Sequence, residues 1–376
     1  MRNLQLGMDW FPESPGGLSR YYYDLYHALG REGVDVRGVV VGSGRVAAET
    51  HGRITAFAEA PSPLRDRLLA SRREIKRVNA AFQPDMVAAH FALYALPSLD
   101  ILRRQPLVMH FHGPWAAEAA AEGSGRFEVQ AKRMLEGAVY RRASRFIVLS
   151  RAFANLLSQT YAIPESRIEV VPGGADTGRF SVNASREEAR KSLGWPTDRP
   201  IILTLRRLVN RMGLERLVAA MTRIRNAYPD ALLLIGGRGI LSARLTAMVE
   251  ELGLSQNVRL IGHAPDASVP LLYRAANVSV VPSVALEGFG LITTESLASG
   301  TPVMVTPVGG LPEAVADLSP DLVLSDSSEE AIADGLIQFL GGHLRIPDAA
   351  DCSAYARSRF DWTAVAPKII KAYAAA

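Results

Sequence analysis

The chain reads as an α/β protein of two doubly wound, parallel-sheet domains of the Rossmann-like type, on three observations. Short apolar, β-branched runs alternate with helical stretches in both halves, the pattern of βαβ units. A glycine-rich stretch, Pro172-Gly-Gly-Ala-Asp-Thr-Gly-Arg-Phe180, interrupts the alternation near the middle and reads as an interdomain hinge. At 376 residues the chain is too long for one core. The expected division is a first domain over 1–175, a second over 176–360 and a tail over 361–376.

In the first half, Leu4–Met8 is a strand. Gly16 and Gly17 follow, then a helical stretch from about Arg20 to Leu29, and Asp35–Val41 is the next strand. A glycine turn between first strand and first helix lets a ligand approach the backbone. It is not Gly-x-Gly-x-x-Gly, so a dinucleotide fingerprint is absent. Pro61 to Phe82 carries Arg65, Arg67, Arg72, Arg73, Lys76 and Arg77 among Leu64, Leu68, Leu69, Ile75 and Val78, a basic amphipathic helix. Such a helix can dock on an anionic membrane surface, or it can cover a sheet with a solvated basic back. Asp85–Ala89 and Leu107–Phe111 are buried strands, each followed closely by a histidine, His90 and His112. Residues 110 and 112 share one strand face, so His110 is expected deeper and His112 at the mouth, beside Gly113, Pro114 and Trp115. Helices around 126–142 and 150–161 flank a strand at 145–149, and Ile168–Val171 is one more strand.

Beyond the hinge, strands at 201–205, 231–235, 258–261, 277–281 and 301–305 alternate with helices. The helix over 213–227 puts Leu214, Leu217, Val218, Met221 and Ile224 on one face. Two loops here carry chemistry. Glu287-Gly-Phe-Gly-Leu-Ile-Thr-Thr-Glu295 joins a strand to a helix, with Gly288, Phe289, Gly290 and Leu291 at the turn. The free N–H groups and dipole at that helix start favour an anion such as a diphosphate, and carboxylates suit the paired hydroxyls of a sugar ring. Two solvated glutamates on an ordinary βα turn would look the same. Arg206-Arg-Leu-Val-Asn-Arg-Met-Gly213 joins another strand to its helix at the same sheet edge, and its arginines suit a diphosphate, though a plain surface cluster would read the same. The tail from Trp362 reads as a last helix, with Val365, Ile369, Ile370 and Tyr373 at helical spacing.

Hydrophobic content of 48% and charged content of 21% are those of a soluble globular protein. No apolar run approaches the roughly 18 residues of a membrane span. Asp9 and Pro12 break up the N-terminal stretch before a signal-peptide core could form. The single cysteine, Cys352, allows no intrachain disulfide and fits a reducing compartment, so a cytoplasmic location is expected. Net charge is +4; residues 1–180 hold 23 Lys/Arg against 18 Asp/Glu, so the first half is the basic one, which points to an anionic neighbour or is simply a solvated face.

These loops together resemble the retaining glycosyltransferases of family 4, with the GT-B fold, over nearly the whole length. Glu287 and Glu295 are similar to that family's paired-glutamate signature. Val171 to Phe180 resembles its interdomain segment, with Gly173 where asparagine is usual. Ala298-Ser-Gly-Thr-Pro-Val and Val308-Gly-Gly-Leu-Pro-Glu313 resemble its late second-domain motifs. The resemblance implies two domains facing across a cleft that close on the substrates, with the last helix crossing back to the first domain. It implies that Arg207 binds the donor diphosphate, Glu295 the ribose, and Glu287 and His112 the reacting sugar. It places Gly16 and Gly17 along the cleft, Gly17 touching the donor; the basic first domain that holds Gly16, His90 and Trp115 is expected to be the acceptor side. Met212 stands where the family has lysine, so the second cation is assigned to Arg211, and Arg206 replaces a glycine. The implied activity is transfer, with retention, from a nucleotide diphosphate sugar, a UDP-sugar above all, to a glycan, lipid-linked or small-molecule acceptor. The donor is a co-substrate and no cofactor is expected. The chain has no Asp-x-Asp, so metal independence is expected. A lipid-linked acceptor would bring the basic helix to the inner face of the cell membrane as a peripheral contact; no nucleic-acid partner is expected. A nucleotide-sugar epimerase would use the same donor site without an acceptor. A non-catalytic binding protein would not need the glutamate pair, and a nicotinamide dehydrogenase lacks its glycine fingerprint here.

Overall fold

A computed structural model describes all 376 residues and divides them into two compact units, Met1–Ala175 with Trp362–Ala376, and Asp176–Asp361. The first unit holds seven parallel strands: β1 (Arg2–Asp9), β2 (Asp35–Val41), β3 (Ile54–Ala58), β4 (Met86–Ala89), β5 (Leu107–Phe111), β6 (Arg145–Val148) and β7 (Ile168–Val170). They lie in the order β3-β2-β1-β4-β5-β6-β7, every neighbouring pair parallel. The central strands β4 and β5 are buried along their whole length, because helices cover both faces of such a sheet. The order reverses between β1 and β4, so the loops leaving these two strands flank a crevice at their carboxyl ends.

The second unit holds β8 (Ile201–Leu205), β9 (Leu232–Gly236), β10 (Val258–Gly262), β11 (Val278–Val281) and β12 (Val303–Val305). Their order is β10-β9-β8-β11-β12, again parallel, and it reverses between β8 and β11. The helix Leu214–Ala227 buries Leu214, Leu217, Val218, Met221 and Ile224, the face its spacing defines. The helix Trp362–Ala374 packs on Gly17–Arg31 and β6, with Trp362 against the backbone of Gly174.

Some elements escape the sequence pattern. β3 is an edge strand, half-buried after Ile54, and offers no continuous apolar run. The helix Arg186–Leu193 is mostly polar and is held at its start by a capping box between Ser185 and Glu188. The helices Glu329–Leu340 and Ala349–Phe360 likewise lie outside the strand-helix alternation that the pattern follows.

Candidate active site

In the second unit, the loops after β8 and β11 meet at the point where strand order reverses. The Arg206 guanidinium contacts the Glu287 carboxylate, and their side chains are only 4% and 14% exposed. Ser283 donates its hydroxyl to the same Glu287 oxygen at 2.9 Å. Arg206 Nη2 also lies 2.8 Å from Met212 Sδ, while its Nη1 is buried with no hydrogen-bond partner. Burial pushes the Glu287 carboxyl up, but Arg206, Ser283 and the field of Arg211 outweigh it and leave it below the usual glutamate value. Glu287 is therefore an ionised carboxylate in a dry place.

Two glycines let neighbouring loops close on this pair. A Cβ on Gly237 would sit 1.7 Å from the Arg206 carbonyl oxygen, and one on Gly309 would sit 1.9 Å from that of Glu287. Both also have positive φ, of 142° and 58°, which side chains disfavour.

The structure redistributes the three arginines. Arg207 is exposed. Arg211 is buried and donates from Nη1 to the Leu286 carbonyl at 3.0 Å, while Val284 N–H donates to the Arg211 carbonyl. Arg211, the expected second cation beside Arg207, thus braces the 284–287 loop through one of its guanidinium nitrogens. Arg206 carries the ion pair because it leaves β8 at the switch point itself. Beyond Gly288, Phe289 is buried and Gly290, at φ 70°, precedes the helix Leu291–Ala298. Glu295 is half-buried on that helix, with the Tyr273 hydroxyl 3.5 Å from its Oε2.

In the first unit, Gly16 and Gly17 are exposed at the start of the helix Gly17–Arg31, and a Cβ on Gly17 would meet nothing within 4 Å. His90 follows β4, His110 is on β5 and His112 follows it. His90 and His110 are buried, while His112 is partly open, the arrangement expected from their shared strand face. The three rings are nearly parallel, with centroids 4.2 Å apart for His90 and His110 and 5.4 Å for His90 and His112. Tyr21 meets His112 edge-on at 4.8 Å. Burial holds all three imidazoles neutral, His112 down to about 4. Trp115 packs edge-on against Phe91, with the Lys132 ammonium over its ring, and its backbone N–H donates to the buried Glu136 at 2.7 Å.

Sequence reasoning missed Ser283, Gln5, Tyr21 and Tyr373. Gln5 had a signal: a polar residue between Leu4 and Leu6 inside a buried strand must find a partner. No helix is long and apolar enough to cross a membrane. Along Leu64–Phe82, Arg72 pairs with Asp100 and Arg77 with Glu74, while Leu69 is 55% exposed among Arg65, Arg73 and Lys76.

Two doubly wound parallel sheets of this kind make up the GT-B fold, and known proteins agree. The signature described as glycosyl transferases group 1 matches residues 185–359, and that of glycosyltransferase family 4 matches residues 15–179. A D-inositol 3-phosphate glycosyltransferase from Corynebacterium glutamicum is 31% identical over 301 residues, covering 77% of this chain and 72% of the relative. One from Segniliparus rotundus is 30% identical over 276 residues, 72% of this chain and 61% of the relative. The chain spans about three fifths of the length of several such relatives. Sucrose-phosphate synthase from Thermosynechococcus elongatus superposes with a TM-score of 0.81 at 23% identity, covering 100% of this chain and 98% of its own. Anabaena HepE in complex with UDP and glucose superposes with a TM-score of 0.81 at 20% identity, each chain covered completely. The chain belongs to glycosyltransferase family 4, and its fold is GT-B.

Proposed function

We propose that the chain transfers a sugar from a nucleotide diphosphate sugar, a UDP-sugar first of all, to an acceptor hydroxyl, with retention and without a metal ion. The observation that carries this reading is the convergence of Arg206, Arg207, Glu287 and the helix bearing Glu295 at the switch point between β8 and β11. A diphosphate fits the N–H groups and positive dipole end of the helix Leu291–Ala298, with the exposed Arg207 as the cation that reaches it. The leaving diphosphate gains negative charge as the glycosidic bond breaks, and these fixed groups would stabilise it. Glu295 would hold the ribose hydroxyls. Glu287, ionised and aligned by Arg206 and Ser283, would accept from donor-sugar hydroxyls, and His112 would contact the reacting sugar. Gly16 and Gly17 have no packing reason to be glycine, which supports a ligand close to their backbone. HepE, of the same fold, is complexed with UDP and glucose.

For the acceptor, relatives named for D-inositol 3-phosphate and the basic excess of residues 1–180 favour an anionic hydroxyl compound. The open stripe of Leu69 among Arg65, Arg73 and Lys76 supports a peripheral contact with anionic lipid as a second expectation. Sedimentation with anionic but not neutral vesicles, abolished by changing those three cations to Gln, would support it, and equal partitioning would overturn it. The main test is turnover with UDP-, GDP- and ADP-sugars in the presence of EDTA. Proton NMR of the product must show the donor's anomeric configuration. An inverted product, or a metal requirement, overturns the mechanism; isomerised sugar from donor alone would make the chain an epimerase.

A further inference from the structure

The histidines of the first unit lie on one hydrogen-bonded line, and its polarity can be read from one end. The Gln5 amide nitrogen donates to Asn3 Oδ1 at 2.6 Å and to the Tyr373 hydroxyl at 3.1 Å. Asn3 is itself set by its amide nitrogen, which faces Met86 Sδ, so turning the Gln5 amide over would set two carbonyl oxygens against each other, and Oε1 is the end that faces His90. His90 Nε2, 2.6 Å from that oxygen, must carry a proton. A neutral imidazole has one N–H, so His90 Nδ1 is bare. His112 Nε2 lies 3.1 Å from it and must be the donor. Nδ1 of His112 is left bare on the open side of the ring. His110 is set the other way: the Tyr373 hydroxyl, having accepted from Gln5, donates to His110 Nε2 at 2.6 Å. The near-parallel rings keep their lone pairs in parallel planes, which suits this relay better than convergence on one ion.

We propose that His90 is a positioning residue which, through Gln5, holds His112 as the neutral Nε2–H tautomer, so that His112 offers Nδ1 as an acceptor to a sugar hydroxyl. The proposal rests on the reading that His112 meets the reacting sugar, and it deepens that reading. A bare nitrogen accepts from O–H and repels a lone pair. His112 therefore selects a hydroxyl and rejects a phosphate or carboxylate oxygen at that point. The Tyr373 hydroxyl links this polarity to the C-terminal helix.

The test is long-range 15N–1H correlation spectroscopy on the full chain labelled at histidine, with steady-state turnover of UDP-glucose as the companion readout. In the wild type, His112 should show a protonated Nε2 and a bare Nδ1. His90→Asn keeps an oxygen acceptor near the place of Nδ1 and should keep that tautomer and most of the turnover. His90→Phe should release a mixture of tautomers and lower kcat more than it raises KM, by on the order of tenfold to a hundredfold. Gln5→Leu, which frees His90 to turn its polarity, should move the same signals if the phenylalanine variant does not fold. A wild-type His112 protonated on Nδ1, or a tautomer unmoved in both variants, overturns the proposal. A tautomer that moves while turnover of UDP-glucose stays unchanged overturns instead the placement of His112 at the sugar.

Discussion

Changing Arg206 to methionine removes one charge of a dry pair and leaves the other. The side chains of Arg206 and Glu287 are 4% and 14% exposed, so little water can replace the lost partner. Two unit charges about 4 Å apart attract by about 4 kcal/mol at an effective dielectric of 20. Breaking a buried pair by deleting one member costs roughly 3–5 kcal/mol, because the survivor keeps its desolvation penalty. Glu287 would still accept from Ser283 and lie in the field of Arg211, which places the expected loss at the lower end, about 3 kcal/mol. For a unit the size of Asp176–Asp361, that lowers Tm by roughly 6–12 °C. Differential scanning calorimetry of the full chain near neutral pH measures it. Glu287→Gln should cost a similar amount, and Arg206→Met with Glu287→Gln should lose less than the two singles added, a coupling of about 2 kcal/mol. The sign with pH also follows. The folded-state value of Glu287 is depressed, so its contribution is present above the usual glutamate range and fades as pH falls through the folded value. The gap between wild type and Arg206→Met should therefore narrow on acidification. Additive losses, or an Arg206→Met change of under about 1 kcal/mol, would refute the view that this pair is buried and coupled.

Glu295→Gln should raise KM for the donor more than it lowers kcat, since a grip on ribose serves ground and transition states alike; an equal loss at saturating donor counts against the role. Arg207→Ala should lower kcat far more than it lowers Tm, because the side chain is exposed, whereas Arg211→Ala should lower Tm first, because its guanidinium braces the Leu286 carbonyl. Trp362→Ala should cost about 3–5 kcal/mol by leaving a cavity against Gly174 and Tyr21, read as a Tm shift, and an unchanged Tm would show that the last helix is not needed by the first unit. Acid should destabilise the first unit through its histidines. His112, depressed from 6.5 to about 4, favours folding above pH 6.5 and loses that contribution as pH falls towards 4, about 3 kcal/mol for this group. Tm measured against pH should fall over that window, and less steeply in His112→Ala.

The sequence by itself determined the alternation of strands and helices and the burial order of His110 and His112. These follow from chain-local periodicity: β-branched runs stopped by proline or glycine, and the two-residue repeat of a strand. It also marked the two loops that carry charge, because each lies between a readable strand and a readable helix. Only the tertiary structure decided which arginine faces which group. Arg206, Arg207 and Arg211 are alike in sequence terms, and their roles depend on β8 lying beside β11, a pairing across some 75 residues that no local pattern encodes. The same holds for the histidine line. Gln5, His90 and Tyr373 come from β1, from the end of β4 and from the last helix, and only their packing in one unit fixes which nitrogen carries the proton. Edge strand β3 and the polar helix Arg186–Leu193 stayed illegible for the opposite reason: their stability comes from neighbours and caps rather than from an apolar repeat of their own.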